Sequence, residues 1–236
     1  MTEPLHLFLH IPKTAGVTIH DLAKRQYPAG ATFIVNSDPY QTIEDLAAWP
    51  PEERRKLRYI GGHFSYGFHR RFARPCQYAT MLRDPAELLV SCYHYIKRRP
   101  GHPDNLALVK GKVPFELWLQ REWCGHIDNH QLRCMLAKWP PEPITRDDLE
   151  LAKRLLAEEF AAFGLVDRFD ESLLFLQDAF GWRDLAYTKR NVFRRDSDAD
   201  VLTPEARALI AQHHAMSIEL VAFARQLFEA RVQARG

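Results

Sequence analysis

The stretch Leu7-Phe8-Leu9-His10-Ile11-Pro12-Lys13-Thr14-Ala15-Gly16-Val17-Thr18 decides the fold of this chain. Leu5, Leu7 and Leu9 alternate as in a strand, whereas Ile19, Leu22 and Ala23 recur at the three- and four-residue spacing of a helix face. The period changes over Pro12 to Thr18, so a strand runs through a turn into a helix. Amides at such a helix start lack intrahelical partners and carry partial positive charge, and Lys13 adds a mobile full charge. The segment is therefore built for an anion, and a nucleotide is the expected ligand. In the nucleoside-triphosphate loop the lysine follows the second glycine of G-x-x-x-x-G-K-[ST], but here Lys13 precedes the only glycine, Gly16, by three residues. The loop is not an ordinary ATP or GTP loop.

Outward from this segment the sequence alternates strand and helix, which predicts a parallel sheet. Thr32 to Val35, Leu57 to Ile60 (ending at Gly61-Gly62-His63), Gln77 to Leu82 and Phe163 to Val166 read as strands. Thr42 to Trp49 reads as a short helix. Asp84-Pro85-Ala86-Glu87 opens another with a cap, proline at the first position and glutamate at the third, and its apolar stripe is Leu88, Cys92, Tyr95 and Ile96. The reading makes Pro100 to Pro114 a polar loop, Phe115 to Trp123 and Asp128 to Ala137 helices, and Thr145 to Asp148 the cap of a helix reaching about Glu159. Asp170 is expected to cap a helix that stops at Gly181, and one long final helix starts at Thr203-Pro204-Glu205. No repeat or linker divides the chain, so residues 1–236 read as a single domain with a more helical, acceptor-side segment around 100–145.

His10-Ile11-Pro12-Lys13-Thr14-Ala15-Gly16-Val17-Thr18 closely resembles the 5′-phosphosulfate loop of the sulfotransferases, especially the branch containing the heparan sulfate 2-O-sulfotransferases and related carbohydrate sulfotransferases. It departs at Ala15 and Val17, which replace the small or hydroxyl residues often found there. The resemblance implies an α/β, P-loop-like three-layer fold with a central parallel β-sheet flanked by helices. It also implies that the segment Pro12 to Thr18 holds 3′-phosphoadenosine 5′-phosphosulfate (PAPS), the sulfuryl donor, whose product is the bisphosphate PAP. Lys13 takes a catalytic role, and Thr14 and Thr18 offer hydroxyl donors to the 5′-phosphate.

A second family signature is Tyr78-Ala79-Thr80-Met81-Leu82-Arg83-Asp84-Pro85 with Ser91 eight residues after Arg83. Arg83 and Ser91 match the arginine and serine that bind the donor's 3′-phosphate, and a planar fork of donors suits that group. Gly61-Gly62-His63-Phe64-Ser65-Tyr66 resembles the Gly-His motif of the 2-O-sulfotransferases, whose histidine is the proposed catalytic base, and that role carries over to His63. Neutral imidazole can take the acceptor's proton near neutral pH. His10 competes for that role but reads as structural. Tyr187-Thr188-Lys189-Arg190-Asn191-Val192 resembles the loop that closes over the 3′-phosphate, which nominates Arg190. Asp128-Asn129-His130-Gln131-Leu132-Arg133 is similar to an acceptor-side segment of the carbohydrate branch, where Arg133 is either a substrate contact or a helix-surface residue.

The implied activity is sulfuryl transfer from PAPS to an acceptor hydroxyl of a carbohydrate, by in-line displacement and without a metal. A kinase-like phosphotransferase and a non-catalytic PAPS- or PAP-binding protein are the alternatives; ATP binding with magnesium dependence would mark the first, and tight PAP binding without transfer the second. Cys124, His126, His130 and Cys134 fall within eleven residues, but their spacing matches no common zinc signature.

Composition narrows the partners. With 236 residues, 46% of them hydrophobic, the chain can bury a full core. The net charge of +2 excludes the global basic field of a dedicated nucleic-acid binder. Basic clusters at Arg54-Arg55-Lys56, Arg70-Arg71, Lys97-Arg98-Arg99 and Lys189-Arg190 with Arg194-Arg195 are solvated surface or the lining of a groove for an acidic substrate. No apolar run has the length of a membrane span, no signal-peptide pattern is present, and Cys76, Cys92, Cys124 and Cys134 form no disulfide framework. Animal members of the branch are anchored in the Golgi by an amino-terminal helix, whereas this chain starts at its first strand. A cytoplasmic protein is expected.

Overall fold

The structure is a computed structural model that describes residues 3–35, 43–120, 128–188 and 202–235. Its centre is a five-stranded, wholly parallel sheet of β1 (Leu5–Leu9), β2 (Thr32–Val35), β3 (Tyr59–Gly62), β4 (Cys76–Leu82) and β5 (Phe160–Leu165), in the order β2-β3-β1-β4-β5. Every residue of β1 is buried. Alternation sends Leu5, Leu7 and Leu9 into one apolar core and Phe8 into another, as expected for a parallel sheet covered on both faces.

The Phe8 side is closed by α1 (Gly16–Gln26) and α9 (Phe169–Phe180), which contribute Ile19, Leu22, Leu173 and Leu176. The opposite, larger core takes the apolar faces of α4 (Pro85–Lys97), α6 (Phe115–Gln120), α7 (His130–Leu136), α8 (Arg146–Arg154), α10 (Pro204–His213) and α11 (Ala215–Arg235). Short helices α2 (Ile43–Ala48), α3 (Pro51–Lys56) and α5 (Asn105–Lys110) lie in the connections. The result is the three-layer α/β fold expected from the alternation of periods.

Caps behave as the sequence predicts at α4, where the Asp84 side chain accepts the Glu87 N–H, and at α8, where Thr145 and Asp148 form a reciprocal capping box. Four expectations are corrected. The stretch 100–114 contains α5, because Leu108 turns into the core and Asn105 donates to the Ile96 carbonyl at 2.7 Å. The last strand begins at Phe160, three residues early, after α8 runs into a wide turn over Leu155–Glu159. Asp170 sits in the first turn of α9 and bonds the Tyr187 hydroxyl at 2.5 Å, while Arg168 occupies the cap position. The final helix is broken at buried His214, because the Asn129 Oδ1 accepts the Ser217 N–H at 3.0 Å and starts α11 afresh. Among the described residues no helix is long and apolar enough to cross a membrane.

Candidate active site

The site follows from the position of β1 between β3 and β4. Leu9 is paired with Gly62 on one side and Thr80 on the other. The His10 N–H donates to the Gly62 carbonyl at 2.9 Å, and the Thr80 hydroxyl donates to the Leu9 carbonyl at 2.8 Å. The segments beginning at His10, His63 and Arg83 thus leave neighbouring strand ends together, at the carboxyl edge where open α/β sheets hold ligands.

The loop from Pro12 to Gly16 is held in an unusual backbone. Lys13 and Ala15 have φ of 68° and 65°, while Thr14 between them does not enter the left-handed region. Such alternation gathers successive N–H groups into a concavity suited to an anion, at a cost of roughly 1–2 kcal/mol per non-glycine residue. Thr14 is fully buried, and its hydroxyl donates to the Ile11 carbonyl at 2.7 Å. In this structure that hydroxyl proton is held by the loop itself. Thr18 is buried in the first turn of α1, and Val17 beside it is exposed. Gly16 has no room for a side chain, since a Cβ there would lie 2.1 Å from the His10 ring.

Cations converge on this loop. The Arg83 Nη1 donates to the Lys13 carbonyl at 3.2 Å, and its Nη2 lies 3.7 Å from the Glu87 carboxylate. The Lys13 ammonium stands 4.1 Å from the centre of the Tyr95 ring, whose hydroxyl accepts a bond from Arg99. Burial first, and then the like charges of Arg83, Arg98 and Arg99, hold the Lys13 pKa below its ordinary 10.5. Burial pushes the neighbouring Cys92 thiol up to about 12, so it adds no negative charge here. Ser91 is half-buried on α4.

Behind the loop lies a file of histidines. The His63 Nδ1 is 2.9 Å from the His10 carbonyl. A carbonyl only accepts, so Nδ1 carries the proton and Nε2 of neutral His63 is the bare nitrogen. Its ring stacks on that of His10 with centroids 4.7 Å apart, and the ring itself reaches solvent. The His10 Nδ1 pairs with the His20 Nε2 at 3.3 Å, and the His20 Nδ1 with the Tyr59 hydroxyl at 3.0 Å. Gly61 makes space for this file, since a Cβ there would approach the His20 ring to 2.5 Å. Loss of hydration against the surrounding protein holds His63 below its ordinary 6.5, with the His10 carbonyl opposing. Burial depresses His10 further and takes His20 to about 3. All three rings are neutral near pH 7.

Two residues of the segment 128–133 behave differently from expectation. Arg133 is 3% exposed, and its guanidinium bonds Asp128, the Lys138 carbonyl and the Glu142 carbonyl. It is a buried clasp around the end of α7 and not a surface residue. Gln131, which the sequence did not single out, bonds the main chain of Arg83. No local signal marks it, because its partner lies 48 positions away.

Arg190, Cys124 and His126 lie outside the described residues. His130 and Cys134 do approach each other, at 3.6 Å, but among the described residues no group of three or more His, Cys, Asp and Glu is arranged to hold a metal ion.

No family model matches the chain. It is 24% identical to heparan sulfate 2-O-sulfotransferase 1 of Gallus gallus over 263 aligned positions, covering 94% of this chain and 70% of that protein. The proteins of the same name from Mus musculus and Homo sapiens are each 23% identical with the same coverage. A solved structure, mouse sulfotransferase SULT7A1 complexed with PAP, superposes with a TM-score of 0.48 at 16% identity, covering 95% of this chain and 89% of that one. This chain is thus similar along nearly its whole length to proteins named heparan sulfate 2-O-sulfotransferase 1, and its two loop segments lie side by side at adjacent strand ends.

Proposed function

We propose that this protein is a PAPS-dependent sulfotransferase that moves the sulfuryl group of PAPS to a hydroxyl of a carbohydrate by in-line displacement, the whole of residues 1–236 working as one domain. The observation that carries the reading is the meeting of three separate signatures on three neighbouring parallel strands, with the bare His63 Nε2, the Lys13 ammonium and the Arg83 guanidinium around one crevice edge. The carbohydrate acceptor is supported by the relatives named heparan sulfate 2-O-sulfotransferase 1.

In this reading the acceptor oxygen forms a bond to sulfur as the bond from sulfur to the 5′-phosphate oxygen breaks. The acceptor proton goes to the His63 Nε2, and the electron pair of the broken bond stays on PAP. The amides of Lys13, Ala15, Gly16 and Val17 and the Lys13 ammonium stabilise negative charge on the sulfuryl oxygens and the leaving oxygen, while the Thr14 and Thr18 N–H groups donate to the Ile11 and Ala15 carbonyls. Arg83 and Ser91 hold the 3′-phosphate, and Arg190, outside the described residues, joins them. The chemistry assigned to these residues needs no metal. Cys76, Cys92 and Cys134 are free thiols, in keeping with a cytoplasmic site of action.

Calorimetric titration with PAP, with AMP and with ATP plus magnesium tests the donor. PAP binding that is lost without the 3′-phosphate and weakened by Arg83→Ala supports the reading, whereas ATP binding in place of PAP replaces it with a phosphotransferase. A screen of glycans and small alcohols with labelled PAPS then tests the acceptor, and tight PAP binding without transfer to any of them would point to a non-catalytic binder.

A further inference from the structure

Gln131 is 1% exposed at the second position of α7. Its Oε1 accepts the Arg83 N–H at 3.0 Å, and its Nε2 donates to the Arg83 carbonyl at 2.8 Å. One side chain thereby satisfies both main-chain groups of a single residue, just where β4 has ended and no strand partner remains. Only one orientation of the amide fits, since the N–H requires the oxygen and the carbonyl requires the nitrogen.

We propose that Gln131 is a positioning residue for the donor's 3′-phosphate: by gripping the Arg83 main chain from both sides, it fixes the point from which the guanidinium reaches the phosphate. The inference rests on the donor-site reading above. A flexible glutamine is a costly clamp unless its own backbone is immobile. Here it is immobile, because α7 is secured on both flanks of Gln131. Asn129 accepts the Ser217 N–H, and Arg133 bonds Asp128, Lys138 and Glu142. The grip also extends past Arg83, whose Nη1 donates to the Lys13 carbonyl in the phosphate loop. Displacing Arg83 therefore disturbs both ends of the donor site, with the larger effect at the 3′ end.

Titration of PAP and of AMP, which lacks the 3′-phosphate, into the wild type and Gln131→Met tests this. Loss of the two bonds should weaken PAP by about tenfold while AMP changes by less than about twofold. In the Arg83→Ala background the same substitution should leave the ratio of the two affinities unchanged, because the guanidinium it positions is gone. Equal weakening of PAP and AMP, or no change in either, would overturn the proposal and make Gln131 a packing residue. Should Gln131→Met fail to fold, Gln131→Asn, whose shorter amide cannot span both groups, is read by the same ratio. A wild type that binds PAP no more tightly than AMP would overturn the donor-site reading, and this proposal with it.

Discussion

The imidazole of His63 lies flat against that of His10 at 4.7 Å and gives its Nδ1 proton to the carbonyl of the same residue. One residue thus supplies both the surface that backs the proposed base and the acceptor that selects its tautomer. His63→Ala should lower kcat by about 10²–10⁴-fold while PAP affinity is kept, as read by turnover and calorimetry in parallel. Only the neutral ring accepts a proton, and its pKa is held below 6.5. The rate should therefore climb with pH through a value under 6.5 and stay level above it; a profile still rising beyond pH 7.5 would assign the base elsewhere.

Lys13 stands among like charges and over an aromatic face, where a developing anion finds little competition from water. Lys13→Ala should cost about 10²–10³-fold in kcat, in the range seen for removal of one preorganised charge-stabilising group. Tyr95→Leu removes the ring on which the ammonium rests and should give a smaller loss, borne mainly by donor binding. Steady-state kinetics at saturating acceptor separate the two.

Gly61 borders the buried end of the histidine file. A methyl group there would meet the His20 ring at 2.5 Å and the Tyr59 hydroxyl at 2.6 Å, both in a packed interior. Gly61→Ala should destabilise the fold by roughly 1–3 kcal/mol, measured by urea unfolding, and lower turnover through the displaced His20 ring and the His10 ring paired with it.

Arg133→Met tests the clasp. Losing its bonds to two main-chain carbonyls and to Asp128 should cost roughly 2–4 kcal/mol of stability. Once the variant is assayed well below its unfolding temperature, the acceptor KM should be close to that of the wild type. A large rise in acceptor KM with unchanged stability would return Arg133 to the substrate.

Acid should unfold this protein earlier than its net charge implies. His6 and His20 are buried, with pKa values taken down by burial to about 4 and about 3. In the unfolded chain both bind protons near 6.5, so stability is full above that pH and drains away as pH falls toward 4 and below. Between pH 6.5 and 5 the loss should be on the order of 2 kcal/mol per histidine. Denaturant midpoints at the two pH values measure it, and His20→Gln should flatten the dependence.

The sheet was legible in the sequence because each strand is a short apolar run closed by Gly, Pro or a polar cap, and burial on both faces leaves no competing helical period. Strand β2 is found at Thr32–Val35 as expected, and β1 and the start of α4 fall where the alternation and the Asp84-Pro85 cap place them. The break at His214 was not legible, since the apolar spacing of a helix continues through it. The group that restarts the helix is Asn129, 88 positions from Ser217. The turn that carries the candidate loop at Pro12 to Thr18 was legible because its change of period is local. The main-chain contacts of Thr14, Arg133 and Gln131 were not legible, because some of their partners are brought near only by the finished fold.

The central place of β1 has a kinetic consequence. His63 reaches His10 across 53 positions of chain, and Arg83 reaches Lys13 across 70. Neither crossover can be skipped, so during refolding the crevice exists only after both long loops have closed around β1. Recovery of PAP binding should accordingly trail the return of helical signal. Adding PAP should slow unfolding, since in the proposed site the bound molecule ties together the ends of β1 and β4, which must separate for the chain to open.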